Sequence, residues 1–230
     1  MSDLLWKEIG PGALSPADSH IRSRGTGGST GYEICKRAVD AGLTGLGMLL
    51  LSPLFALLAA LIKLDSPGPV LFSQTRVGRD GVPFRCWKFR SMFVDAEQRK
   101  NELLAHNEMA GGTTFKMKRD PRITRVGRLI RRASLDELPQ LWNVFVGDMS
   151  LVGPRPPLPQ EVAEYSAHDR RRLAVQPGIT CIWQVSGRSD IPFPEQVLMD
   201  LDYIERRSLW LDLSLLARTR PAVLLGRGAY

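Results

Sequence analysis

The chain has 230 residues, and 31 Lys and Arg against 24 Asp and Glu leave a formal charge of +7. That length suits one substantial domain or a domain with an appendage, and 43% apolar residues argue against a chain disordered throughout. The charge favours an anionic partner: nucleic acid, a lipid headgroup surface or a phosphorylated substrate. Cys35, Cys86 and Cys181 are odd in number and form no CxxC pair, which argues against a disulfide framework or zinc site and fits a reducing compartment. His20, His106 and His168 are equally scattered and suggest neither a metal site nor a triad.

Residues 1–31 mix Gly, Ser, Pro and charges without apolar periodicity and read as a flexible lead-in. They do not read as a secretory signal, because the apolar run begins too late. From Ala41 to Ile62 the chain is uncharged and mainly apolar, bounded by Asp40 and Lys63. A straight helix over this run reaches about 33 Å, enough to cross a bilayer core. Ser52-Pro53 falls at its midpoint, where proline removes an internal hydrogen bond and kinks the helix. Both flanks are basic, with Lys36 and Arg37 before and Lys63, Arg76 and Arg79 after, whereas a spanning helix wants one basic side. A kinked span and a re-entrant segment over 32–65 both remain; the paired basic flanks favour the second, each half dipping about 16 Å before the turn.

Between Pro69 and Met92 two apolar-rich segments flank Asp80-Gly81, the signature of a β-hairpin. On its second strand the period of two puts Cys86, Lys88 and Arg90 on one face and Trp87 and Phe89 on the other. Lys88 and Arg90 are either solvated cations or phosphate contacts. Val94 to His106 is polar and helix-forming, and Gly111-Gly112 breaks it. From Arg122 to Arg132, Ile123, Val126, Leu129 and Ile130 form a stripe opposite Arg125, Arg128, Arg131 and Arg132, a pattern suited to an anionic membrane surface. Pro154 to Pro159 is a rigid cluster around Arg155. Helical patterns return over 161–173 and 195–217, the latter carrying Tyr203 and Trp210, which suit a membrane interface or a buried core equally.

Ser134-Leu-Asp-Glu137 has the spacing of a capping box, in which Ser134 and Glu137 satisfy backbone donors at a helix start. Pro139 weakens that reading and moves the helix start toward itself. In a basic, apolar-anchored chain the adjacent carboxylates Asp136 and Glu137 have a second reading. Such a pair suits a divalent cation shared with substrate phosphates, a carboxylate can attack phosphorus, and arginines neutralise charge on a transferring phosphoryl group. No P-loop, GxGxxG or GxSxG occurs, so ATP-driven transport, Rossmann dehydrogenases and elbow-type serine hydrolases lack support.

Five blocks in order carry a family resemblance: the Ser52-Pro53 apolar segment, Lys88-Phe-Arg-Ser-Met92, Ser134-Leu-Asp-Glu-Leu-Pro-Gln140, Leu151-Val-Gly-Pro-Arg-Pro156, and Pro177-Gly-Ile-Thr180 with Gln184-Val-Ser-Gly-Arg188. Together they resemble the monotopic phosphoglycosyl transferases, the bacterial sugar transferase family, in its short exopolysaccharide-initiating form. The resemblance covers nearly everything from Lys36 onward. It implies a mainly helical α+β fold with a re-entrant membrane helix broken at Ser52-Pro53, interfacial amphipathic helices and a small β-hairpin. It implies a cytoplasm-facing catalytic domain over 66–230 at the bacterial inner membrane. The implied catalytic and Mg²⁺-binding pair is Asp136 and Glu137, with Asp136 attacking the β-phosphate of a UDP-sugar, UMP leaving, and undecaprenyl phosphate taking up the phosphosugar. Lys88, Arg90, Arg131, Arg155 and Arg188 become candidate phosphate contacts, with Pro154 and Pro156 holding the backbone beside Arg155. Galactose or glucose phosphate is the expected cargo; membrane lipids are expected partners, nucleic acid is not, and a homo-oligomer is left open. The competing reading is a basic membrane-anchored adaptor that binds lipid or polyanion without catalysis.

Overall fold

The computed structural model describes residues 30–103, 120–187 and 191–224. Residues 1–29 of the lead-in, the Gly111-Gly112 break and Arg188 lie outside them, whereas Thr30 and Gly31, assigned to the lead-in, begin a helix.

The apolar run folds as two helices, α1 (Thr30–Leu50) and α2 (Ser52–Asp65). They meet at Leu51 with a bend of 61°. Pro53 lies in the first turn of α2, where its missing N–H costs nothing, and the Ser52 hydroxyl donates to the Leu49 carbonyl across the break at 2.8 Å. The expected interruption is therefore where the sequence places it. No single described helix is long and apolar enough to cross a membrane, although the bent pair together is. Leu46, Leu49 and Leu50 on α1 and Leu57, Leu61 and Leu64 on α2 are exposed. The other sides of both helices pack inward.

The hairpin forms as expected, with β1 (Leu71–Val77) antiparallel to β2 (Pro83–Phe89) and Thr75 opposite Arg85. Asp80 takes φ 56° and Gly81 φ 79° at its tip, the left-handed backbone that Asp-Gly tolerates. Next come α3 (Ala96–Leu103), the basic helix α4 (Arg125–Arg132), a 3₁₀ turn (Leu135–Glu137) and α5 (Gln140–Val146). The stripe expected on α4 is only half right: Ile130 is buried and Val126 partly so, but Leu129 is 65% exposed. Arg122 lies before the helix, buried and paired with Asp120.

A second, parallel strand pair, β3 (Ser150–Val152) with β4 (Gly178–Thr180), has no counterpart in the sequence expectations. Each strand has three residues, too short for a period to show. Between them lie α6 (Pro159–Ala163) and α7 (Ala167–Arg170), followed by a 3₁₀ turn over Arg171–Ala174, so the single helical stretch expected there is broken. Then follow α8 (Ile182–Ser186), α9 (Phe193–Arg206) and α10 (Leu209–Leu224), the last two dividing the stretch expected to be continuous. The fold is thus mainly helical with a small antiparallel sheet, as expected.

Three apolar clusters hold these parts together. In the first, Leu58 and Ile62 of α2 meet Phe89 of β2 and Ile130 of α4, so one half of the bent pair is built into the core. The second joins Cys86, Val144 and Met149; the third gathers Val152, Val197, Leu201, Tyr203, Ile204 and Leu215. Tyr203 is 2% exposed, which removes it from the interfacial role considered for it, whereas Trp210 is 81% exposed. All three cysteines are free.

Candidate active site

Asp136 and Glu137 are carried by the 3₁₀ turn, not by a capped helix. Ser134 takes φ 54°, its side chain caps nothing, and α5 starts only after Pro139. The capping-box reading is therefore overturned, and the shift of the helix start toward Pro139 is found. Physically, Leu135 and Leu138 pack into the cluster formed by α2, β2 and α4. A turn anchored through leucines on both sides of the carboxylates holds the pair at the edge of that cluster.

The turn packs against β2 and α4. From β2, Lys88 Nζ donates to Glu137 Oε1 at 2.5 Å. The Lys88 face is thus neither solvated nor idle. Asp136 is buried, and burial first, then the neighbouring Glu137 charge, raises its carboxyl to about 6; Lys88 and Arg131 work against that rise. Burial also acts to raise Glu137, but Lys88, Arg155 and Arg76 outweigh it and hold Glu137 below the usual carboxylate range. Environment pushes the two neighbours apart, a pattern found where adjacent carboxylates take different roles.

The Pro-Arg-Pro segment lies beside the pair, suspended between two strands. The Arg76 guanidinium on β1 donates to the Pro156 carbonyl at 3.0 Å, and the Val77 N–H donates to the Pro157 carbonyl at 2.9 Å. From the other side the Gly178 N–H donates to the Pro154 carbonyl at 2.8 Å. Pro154 and Pro156 are buried and Arg155 points outward, exposed. Sequence reasoning passed over Arg76 as a flank charge. Its signal was its place on the strand paired with β2, but only the fold brings it under the proline loop. Burial, then repulsion from Arg155, lowers its guanidinium to about 10.

Lys88 therefore contacts the dyad directly, the charges of Arg131 and Arg155 bear on it through space, and Arg90 is engaged elsewhere. Arg90 is 5% exposed and donates to the Ser66 carbonyl at 2.6 Å and the Ser66 hydroxyl at 3.0 Å, beneath the C-terminal end of α2. Arg188 lies outside the described residues. Among the described residues no three of His, Cys, Asp and Glu converge as a metal cage. The two carboxylates of the dyad are the residues that could hold a cation of the Mg²⁺ type, which takes few protein ligands and keeps waters.

The dyad is thus a carboxylate pair, one member tied to a lysine, at the edge of a cluster that includes one helix of the bent apolar pair. The chain belongs to the bacterial sugar transferase family, whose model matches residues 31–226. It is 49% identical over 197 residues to galactosyl transferase CpsE of Streptococcus agalactiae, covering 85% of this chain and 43% of that one. It is 40% identical over 200 residues to exopolysaccharide production protein ExoY of Sinorhizobium fredii, covering 86% and 88%. It is also 39% identical over 242 residues to the UDP-glucose:undecaprenyl-phosphate glucose-1-phosphate transferase of Caulobacter vibrioides, covering 100% and 86%. The chain thus spans less than half of the first relative and most of the other two.

Proposed function

We propose that this protein transfers a sugar 1-phosphate, galactose or glucose, from a UDP-sugar to undecaprenyl phosphate, releasing UMP and starting an exopolysaccharide repeat unit. The observation that carries the reading is the dyad itself: a buried Asp136 beside a Glu137 already paired with Lys88 and under the positive charge of Arg131 and Arg155. The named activities of the relatives support it, divided between galactosyl and glucosyl transfer.

In the first step an Asp136 Oδ attacks the β-phosphorus of the donor. The bond from that phosphorus to the bridging oxygen breaks, and the electron pair leaves with UMP. An oxygen of the acceptor phosphate then attacks the same phosphorus, and the bond to Asp136 breaks, restoring the carboxylate. Lys88 and Arg131 favour the ionised Asp136, while Arg155 is exposed and free to meet phosphate oxygens. Asp136 and Glu137 are the residues that would hold a Mg²⁺, which would supply charge neutralisation on the diphosphate.

In this reading α1 and α2 form a re-entrant anchor at the inner membrane, with both flanks and the catalytic domain facing the cytoplasm. Their exposed leucines, together with Trp142, Phe145 and Val146 of α5, support bilayer contact. The acceptor's hydrocarbon tail then stays in lipid while the donor arrives from water.

The deciding experiment is UMP release from a panel of UDP-sugars with undecaprenyl phosphate, in wild type and Asp136→Ala. Mg²⁺-dependent release lost in the variant is expected, with a hexose-phosphate mass on the Asp136 peptide when acceptor is withheld. Release by Asp136→Ala at the wild-type rate overturns the nucleophile. Topology is tested by thiol labelling of Ser23→Cys and Val82→Cys in a Cys35→Ala background. Re-entry requires both to react from the same side, and opposite sides restore the kinked span.

A further inference from the structure

Among the described residues the sheet that carries Lys88 has two strands, so the outer edge of β2 should offer unpaired backbone groups. One residue of α5 fills the central part of that edge. The Asn143 side-chain carbonyl accepts from the Trp87 N–H at 3.0 Å, and its amide donates to the Arg85 carbonyl at 2.7 Å. Those two backbone groups straddle Cys86 and point the same way, as a third strand would require. The side-chain amide of Asn143 thus stands in for the N–H and C=O of one residue of a neighbouring strand. Its second amide hydrogen goes to Asp148 Oδ2 at 3.1 Å, and the residue is 1% exposed.

Asn143 lies on the helix that begins right after the dyad turn, while Lys88 lies one residue beyond the N–H it captures. Two ties therefore join the dyad segment to β2: the Lys88–Glu137 ion pair and the Asn143 amide. The first joins two long side chains; the second ties a short, buried side chain of α5 to the backbone of β2. An apolar residue of the same size could fill the space but could not fix the register between strand and helix.

We propose that Asn143 is a positioning residue: its amide locks β2 onto α5 and so holds Lys88 against the Asp136–Glu137 turn. This rests on the proposed transferase reaction for its catalytic consequence, but not for its structural one. The Asn143→Ala variant removes all three bonds. Asn143→Asp keeps the acceptor, loses both donors and places a carboxylate opposite the Arg85 carbonyl and Asp148.

Two measurements test it. In steady-state UMP release, Asn143→Ala and Asn143→Asp lower kcat by on the order of tenfold or more with KM for the UDP-sugar within about twofold. Val197→Ala, a cavity in the remote core, serves as the control for destabilisation alone and keeps kcat at temperatures where it stays folded. Independently of activity, a double-mutant cycle of Lys88→Met and Glu137→Gln is run in SDS-titrated mixed micelles. Their coupling, about fivefold in the unfolding equilibrium with Asn143 present, falls below about twofold in Asn143→Ala. Unchanged coupling overturns the proposal, as does kcat falling no further in the Asn143 variants than in Val197→Ala. If the wild type releases UMP from no UDP-sugar, the transferase reading fails, and the coupling cycle alone still decides whether Asn143 places Lys88.

Discussion

Lys88 and Glu137 lie 49 positions apart in the chain, yet their charged atoms stand 2.5 Å apart at the edge of the α2–β2–α4 cluster. The contact sets two adjacent carboxylates in opposite electrostatic environments. Glu137 is neutralised by a lysine, and Asp136 behind it keeps a raised affinity for its proton.

The difference has a pH signature. In the proposed reaction Asp136 attacks phosphorus as the carboxylate, and burial raises its carboxyl to about 6. kcat/KM for UMP release should therefore fall on the acid side with a midpoint of about 6, measured under single-turnover conditions without acceptor. An acid limb near 4 would mean that burial does not govern the group.

The same burial costs stability. The folded-state value, about 6, lies above the ordinary 3.8, so the fold favours the protonated acid. Stability contributed by this group is present below pH 4 and is lost as pH rises through about 6. Asp136→Asn, which cannot ionise, should raise stability at pH 8 by on the order of 1–3 kcal/mol while abolishing UMP release. Thermal unfolding of both forms at pH 5 and pH 8 checks this: the difference should shrink at the lower pH.

Removing the lysine acts in the opposite sense. Lys88→Met leaves Glu137 part-buried without its partner, and the Glu137 carboxyl should rise from its depressed value. A loss of about 1–3 kcal/mol in stability at neutral pH is expected, with kcat/KM down by roughly a hundredfold. The double variant Lys88→Met with Glu137→Gln should recover much of the stability and little of the activity, as read by denaturation and UMP release in parallel.

The backbone around the site is equally specific. Ser134 holds φ 54° two positions before Asp136. Ser134→Gly should be neutral or slightly stabilising, whereas Ser134→Val should cost about 1–3 kcal/mol in denaturation, because a β-branched residue resists that backbone. At the strand pair that suspends the proline loop, a Cβ on Gly178 would collide with the Gly153 backbone. Gly178→Ala should therefore destabilise the protein and disturb Arg155, raising KM for the donor.

Much of the local structure was legible in the sequence because it depends on neighbours along the chain. Proline geometry places the break at Ser52-Pro53, Asp80-Gly81 supplies the turn of the hairpin, and Pro139 delays α5. The capping box was misread for the complementary reason. Ser134 and Glu137 have the right spacing, but Leu135 and Leu138 gain more by entering a cluster built from distant segments than the box gains from its two hydrogen bonds.

The candidate site divides along the same line. The residue types and the five ordered blocks were enough to single out Asp136, Glu137, Lys88, Arg131 and Arg155. The tie of Lys88 to Glu137, the burial of Asp136, the hold of Arg76 on Pro156 and the placement of Arg90 under α2 all join segments remote in sequence. Single-chain periodicity carries no record of such contacts, because burial and charge pairing arise only when the segments pack. The sequence by itself determined which groups could do chemistry on phosphate; the tertiary structure decided which carboxylate is paired with a lysine and which is left buried beside it.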